Sequence, residues 1–269
     1  MKRLAIVGVG KMGSEILKSF QSIPHRIEAV EINKGNRLDL PTLNWEIHPS
    51  IDCLKGDFHS MILAVKPNDA LEVSKLVNTC EEKSLFRVPC IVSCMAGVSS
   101  RTLGNMFPHK KIVRIMPNIG IGSGNGLTSV YGPNPYARQI RSLFVHGGVV
   151  HDAKSDDEID AVTCIASSGP AYFLRMAQIM ADEAESMGLS ELEAKMIARS
   201  ALLSASLLPD ATKSINEIAS TGGTTERALR TLEQNKFAHA VRSAIRQSWC
   251  RAKNIDSNVR HSCRVDKEV

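Results

Sequence analysis

Aromatic residues make up only 4% of the 269-residue chain, and they are not interleaved with basic clusters. The net charge is a mild +5, from 33 basic and 28 acidic residues scattered along the chain. A stacking or phosphate-tracking surface is thereby excluded, and no nucleic-acid partner is expected. No apolar run approaches the ~20 residues that a membrane helix needs, and no leader-like segment precedes the first apolar run. The expectation is a soluble, cytoplasmic protein with no membrane partner. There is no C-x-x-C. The seven cysteines (Cys53, Cys80, Cys90, Cys94, Cys164, Cys250 and Cys263) are odd in number and widely spaced, which predicts reduced thiols and no metal site. The eight histidines are dispersed, and no Ser-His-Asp spacing or nucleophile elbow is present. Nucleophilic hydrolysis therefore has no visible machinery.

What the chain does have begins at residue 4. Leu4-Ala5-Ile6-Val7 runs into Gly8-Val9-Gly10-Lys11-Met12-Gly13, and Ile16, Leu17 and Phe20 then fall on one helical face. This is a buried strand, a tight turn with G-x-G-x-x-G spacing and a helix start. Gly8 permits the turn, Gly10 bares the backbone to a pyrophosphate, and Gly13 lets helix and strand approach closely. The helix start offers free N–H groups and the positive end of its dipole. Dinucleotide binding is the reading; a glycine-rich turn without a ligand is the alternative.

Further strands are predicted at Arg26–Ile32, Trp45–Ser50, Met61–Val65, Cys90–Cys94, Lys111–Met116, Thr128–Tyr131 and Gly148–His151. Helices are predicted between them near Ala70–Val77, Ser100–Asn105 and Tyr136–Phe144. Such alternation argues for a mostly parallel, doubly wound sheet. The end of the second strand reads the adenosine ribose in such folds. If that strand ends at Ile32, Asn33 and Lys34 face the ribose and NADP is favoured. If it ends at Val30, Glu31 faces it and a 2′-phosphate is repelled. The reading leans to NADP, with NAD the alternative.

After His151 no convincing strand appears as far as Arg251; Gly188 and Pro209 punctuate helices, and an acidic helix start lies at Asp156–Asp160. The fold class is thus α/β, with a Rossmann domain over 1–152 and an all-α domain over 153–269. The small, flexible apolar residues of Ala171–Met187 predict an obligate dimer. Residues past Asn254 read as a loose polar tail.

Three places are expected to carry chemistry. The strand ends Ala64-Val65-Lys66-Pro67, Met95-Ala96-Gly97 and Met116-Pro117-Asn118 leave room for a nicotinamide, with Asn118 either bonding it or fixing the loop. Ser167-Ser168-Gly169-Pro170-Ala171-Tyr172 is either capping grammar or a hydroxyl cluster that holds an anion. Ser220-Thr221-Gly222-Gly223-Thr224-Thr225 opens a helix and is either a carboxylate nest or a plain interhelical loop.

These motifs, in this order and spacing, resemble those of Δ1-pyrroline-5-carboxylate reductases: Gly8-x-Gly10-x-Met12-Gly13, Ala64-Val65-Lys66-Pro67, Ala96-Gly97-Val98, Arg114-x-Met116-Pro117-Asn118, Ser168-Gly169-Pro170-Ala171-Tyr172 and Gly222-Gly223-Thr224-Thr225. The resemblance spans about residues 3 to 252. It implies NAD(P)H-dependent reduction of a cyclic imine carboxylate to proline, a helical domain that interlocks with a second subunit, and rings of dimers such as a decamer. It places Gly8, Gly10, Lys11, Met12 and Gly13 on the pyrophosphate, and Asn33 and Lys34 by the adenosine phosphate. Ala64, Val65, Lys66, Pro67, Met95, Ala96, Gly97 and Asn118 fall around the nicotinamide. Ser220, Gly222, Gly223, Thr224 and Thr225 fall on the substrate carboxylate, with Thr225 and Ser168 the hydroxyls expected nearest the reaction. Thr221 stands where that family usually has Pro, Ala166-Ser167 where it has Ser-Gly, and Ile119-Gly120 where it has Thr-Pro. Two alternatives accompany the reading: a reductase of another small cyclic imine or keto acid, and a regulatory relative that keeps the fold without catalysis.

Overall fold

The computed structural model describes residues 2–33, 35 and 45–265. The chain forms two compact units, 1–167 with 248–269, and 168–247.

The first unit is built on a sheet whose spatial order is β10-β9-β8-β7-β5-β1-β2-β3. Its strands are β1 (Arg3–Val7), β2 (Arg26–Val30), β3 (Glu46–His48), β5 (Ser60–Leu63), β7 (Cys90–Ser93), β8 (Lys111–Pro117), β9 (Gly126–Tyr131) and β10 (Gly148–Asp152). The run from β3 through β8 is parallel, whereas β8 and β9 pair antiparallel and β10 follows β9. A mainly parallel doubly wound sheet is therefore present, with two reversed strands at one edge. The glycines around Gly120–Gly126 carry that reversal, which a strand-by-strand pattern does not distinguish from a crossover. A separate short pair, β4 (Gly56–Asp57) with β6 (Phe86–Arg87), has too few residues to show a sequence period.

Period-two alternation sends Leu4 and Ile6 to one face of β1 and Ala5 and Val7 to the other. The first face packs on Ile16 and Leu17 of α1 (Lys11–Ser19), on Phe20 just after it, and on Ile140, Leu143 and Phe144 of α4 (Tyr136–Phe144). The second packs on α2 (Ala70–Glu82) and α3 (Ser100–Met106) through Val73, Val77, Leu103 and Met106. Both faces are covered, as parallel strands require. The chain leaves β1 for β2 on one side and later places β5 on the other, so the strand order reverses between β1 and β5. Ligands bind outside the carboxyl ends of the strands at such a switch point.

Beyond the sheet, α5 (Asp156–Val162) opens with Ser155 as its cap and acids in its first turn. A π-helical turn, Thr163–Ser167, follows. Arg114 of β8 is 1% exposed and is bound by Asp156 at 2.7 Å and Asp160 at 2.9 Å. Asp156 also accepts the N–H and hydroxyl of Ser100 at 3.0 and 2.6 Å.

The second unit contains α6 (Gly169–Ser186), α7 (Glu191–Ser206), α8 (Ala211–Ile218) and α9 (Thr224–Gln234). Gly188, at φ +102, lies just past α6, and Ser190 with Glu193 forms a capping box on α7. Among the described residues its buried hydrophobics are only Ala181, Ala194 and Ala198, while Phe173, Leu174, Ile179, Met180, Met196 and Leu203 stand exposed. An apolar surface of this kind on an isolated unit marks an interaction face.

The last helix, α10 (Phe237–Val265), runs well beyond Asn254. The polar tail expected there is helical, with Val259 buried. Asp256 accepts Ser99 N–H at 2.9 Å and the Thr102 hydroxyl at 2.7 Å, which fixes this end of α10 to α3. An apolar residue every turn or so among charges is too sparse to read as a buried face. Among the described residues no helix is long and apolar enough to cross a membrane.

Candidate active site

The glycine turn is built as its spacing predicts. Gly8 has φ +90, a conformation that disfavours any side chain, and its N–H reaches Val30 O at 2.8 Å. A Cβ at Gly13 would collide with the Gly8 carbonyl oxygen, so only glycine lets α1 lie this close to β1. At Gly10 a Cβ would meet no protein atom within 4 Å. The first turn of α1 has no side-chain cap and no acidic residue. Open space at Gly10 beside an uncapped helix N-terminus fits a pyrophosphate, which needs backbone N–H donors and no competing anion.

Strand β2 ends at Val30, and Glu31 follows it 5% exposed. Its carboxylate is turned inward: one oxygen accepts the Val9 N–H at 2.7 Å and the other the Asn33 N–H at 2.8 Å. The strand thus ends where the sequence reading expects Glu31 to face a ribose, but the acid is spent on backbone donors. Asn33 is exposed beyond it, and Lys34 lies outside the described residues.

At the neighbouring strand ends, Ala64 N–H continues the ladder to Val7 O at 2.8 Å, and Gly8, Ala64 and Val65 come together. Lys66 is exposed, and its carbonyl accepts Asp69 N–H at 3.0 Å in a turn over Pro67–Asp69. Ala96 is half-buried. The Met95 side chain is buried in the core. Gly97, at φ +69, turns sharply and lies against another backbone: a Cβ there would strike the Ala252 carbonyl of α10. Cys94 donates to Leu63 O at 3.2 Å, and burial pushes its thiol up to about 12, so it stays protonated near neutral pH.

Asn118 fixes a loop. Its carbonyl accepts Gly120 N–H at 3.2 Å and Leu127 N–H at 3.1 Å, and its amide donates to Ala166 O at 3.1 Å. The Ser167 hydroxyl donates to Pro117 O at 3.1 Å. The end of β8 is thereby tied to the π-turn that leads into Ser168, Gly169 and Pro170. A nicotinamide contact from Asn118 has at most one amide hydrogen left to use.

In the second unit, Ser220 to Thr225 form a tight loop into α9. Gly222 has φ +75, and Gly223 N–H returns to Ser220 O at 2.9 Å. Gly223 is the helix cap and contributes no side chain, while Thr225 is half-buried in the first turn. Gly222 N–H donates to Glu226 Oε2 at 2.6 Å.

A profile described as pyrroline-5-carboxylate reductase dimerisation matches residues 156–255. A protein of Thermus thermophilus named pyrroline-5-carboxylate reductase is 31% identical over 259 residues, covering 90% of this chain and 92% of its own. The chain belongs to the pyrroline-5-carboxylate reductase family. Pyrroline-5-carboxylate reductase 2 of Bacillus subtilis is 29% identical, and the match covers 95% of both chains. Among solved structures, the Streptococcus pyogenes 1-pyrroline-5-carboxylate reductase superposes with a TM-score of 0.78 at 27% identity, over 94% of this chain and 98% of that one. The Plasmodium falciparum pyrroline carboxylate reductase, with NADP bound, gives 0.81 at 21% identity, over 95% and 98%. The family explains why the second unit exposes apolar side chains: its matched segment is the one described as dimerising. The sequence reading names Glu31 but not its loop-holding role, which has no signal beyond an acid at a strand end. It misses Glu226, whose only signal is an acid in the first helical turn after Gly-Gly-Thr-Thr.

Proposed function

We propose that this chain reduces 1-pyrroline-5-carboxylate to L-proline with NAD(P)H. The observation that carries this is the pairing, in a near full-length family member, of an open uncapped glycine turn with a second glycine loop at a helix N-terminus. The first unit holds the cofactor: Gly8, Gly10, Lys11, Met12 and Gly13 at the pyrophosphate, and Ala64, Val65, Lys66, Pro67, Ala96 and the backbone of Gly97 around the nicotinamide. NADP is favoured, because the Glu31 carboxylate is spent on backbone donors and Asn33 stands exposed beyond it, and the family resemblance sets Asn33 and Lys34 by the adenosine phosphate; NAD is the second choice.

When bound, the reduced nicotinamide supplies the hydride that reduces the imine carbon. Ser220, Gly222, Gly223, Thr224 and Thr225 hold the substrate carboxylate and so orient the ring. Thr225 and Ser168 offer hydroxyls to the ring, and the imine nitrogen carries a proton taken from solvent. The product gains one hydride at carbon and keeps that proton on nitrogen. The exposed face of the second unit pairs with a second copy, and dimers build larger rings such as a decamer.

Consumption of NADPH on adding pyrroline-5-carboxylate, with proline as product, tests this directly. Thr225→Ala should raise the KM for the imine about tenfold, a loss of ~1.4 kcal/mol, with the KM for NADPH nearly unchanged. Equal loss of both contradicts the assigned role.

A further inference from the structure

The Ser220–Thr225 loop has the features of an anion site, and the anion the structure places against it is the chain's own. Glu226 Oε2 accepts the Gly222 N–H at 2.6 Å, while Glu226 Oε1 accepts Arg230 Nη2 at 3.0 Å one turn further along α9. The loop glycine is in the left-handed region, and the helix that follows has no side-chain cap at Gly223. A carboxylate here gains from backbone donors and from the positive end of the helix dipole. Those are the interactions that a substrate carboxylate would seek.

We infer that Glu226 is a specificity-determining residue: its carboxylate competes with the substrate carboxylate for the Gly222 N–H, and the substrate binds as Glu226 withdraws. The inference rests on the reading that this loop takes the substrate carboxylate. Two carboxylates at one donor repel each other, so both cannot remain. Glu226 is half-buried and Arg230 is exposed, so the ion pair can swing away together without opening a core. The consequence is selective. A weakly held acid does not displace an internal partner, whereas a ligand with further contacts to Ser220, Thr224 and Thr225 does. The bland reading is a helix cap, in which an acid in the first turn satisfies a loop N–H and nothing more.

The test uses the full-length protein with Glu226→Ala and Glu226→Gln. Glu226→Ala should lower the KM for pyrroline-5-carboxylate about fivefold, with the change in KM and not in kcat and with the KM for NADPH unmoved. Glu226→Gln, which keeps an acceptor but no charge, should fall between Ala and wild type. Independently of turnover, the Gly222 amide resonance should titrate with L-proline at a lower concentration in both variants than in wild type. An unchanged or raised KM, with the amide titrating at the wild-type concentration, overturns the inference and leaves a cap. If Glu226→Ala melts early, the Glu226→Gln titration decides alone. An absence of turnover in every form removes the proposed reaction, and the Gly222 titration still decides whether Glu226 competes. A Gly222 amide that proline never moves overturns the inference.

Discussion

The carboxylate of Glu31 accepts the backbone N–H of Val9 at 2.7 Å, so the acid after β2 holds the glycine turn after β1. Its other oxygen holds Asn33 N–H at 2.8 Å. Charged acceptors on backbone donors in a nearly buried setting make strong hydrogen bonds. Glu31→Ala should therefore lower stability by about 2 kcal/mol and weaken NADPH and NADH by similar factors. Fluorescence titration with both cofactors checks it. A variant that binds NADH worse and NADPH better shows instead that the charge faces the ribose.

Gly10 and Gly13 give opposite expectations for the same substitution. Gly10→Ala places its methyl in open space, so the melting temperature should hold while NADPH affinity falls about tenfold or more. Gly13→Ala forces a methyl into the Gly8 carbonyl, so it should lose stability and cofactor together. Thermal melts with and without NADPH separate the two. A Gly10→Ala protein that binds NADPH normally removes the pyrophosphate from that turn.

Arg114 is the most deeply buried cation described, held by Asp156 and Asp160. Arg114→Met leaves two acids facing a lost partner, although Lys253 still reaches Asp160 at 3.1 Å. A loss of about 3–5 kcal/mol is expected in urea unfolding, since breaking a buried pair strands its other half. A loss below about 1 kcal/mol shows that solvent reaches the pair.

Stability should fall on acidification in two stages. Burial holds the pKa of His25 and His59 below the ordinary histidine value, in spite of the hydrogen bonds that His25 donates to the Pro24 backbone and His59 to the Gln139 side-chain oxygen. Their contribution is complete above about pH 6.5 and is lost as pH falls toward the folded value. Burial works to raise Asp156, but the hydrogen bonds from Ser100 and Arg114 outweigh it and hold its carboxyl low. Its contribution persists above about pH 4 and is lost below. The melting midpoint should drop between about pH 7 and pH 5, and His59→Gln should flatten that first stage. A flat wild-type profile over this range contradicts the assignment.

The fold was legible where side-chain periodicity is strong. The apolar run into Gly8-x-Gly10-x-x-Gly13 fixes strand, turn and helix, because Gly8 and Gly13 each answer a separate steric demand. Helix α4 was readable to the residue, since Tyr136 to Phe144 is amphipathic between a Pro turn and a short apolar strand. The direction of β9 was not legible, because pairing sense depends on the partner strand. Nor was the docking of α10 on the first unit, where Gly97 gives way to Ala252; contacts between residues this far apart leave no local period. At the candidate site, glycines and threonines announced the loop at 220–225, but the internal carboxylate of Glu226 required the loop's geometry. The expected division near residue 152 followed the loss of strands, whereas the compact units follow packing and return 248–269 to the first.

The most direct test of the account follows one atom. The protein is given NADPH carrying deuterium at the transferable position of nicotinamide C4, together with pyrroline-5-carboxylate, and the proline formed is analysed by mass spectrometry and NMR. The account predicts one deuterium per proline, on the ring carbon that was the imine carbon, and one cofactor oxidised for each. Proline without deuterium, or cofactor bound but never oxidised in the presence of the imine, contradicts it.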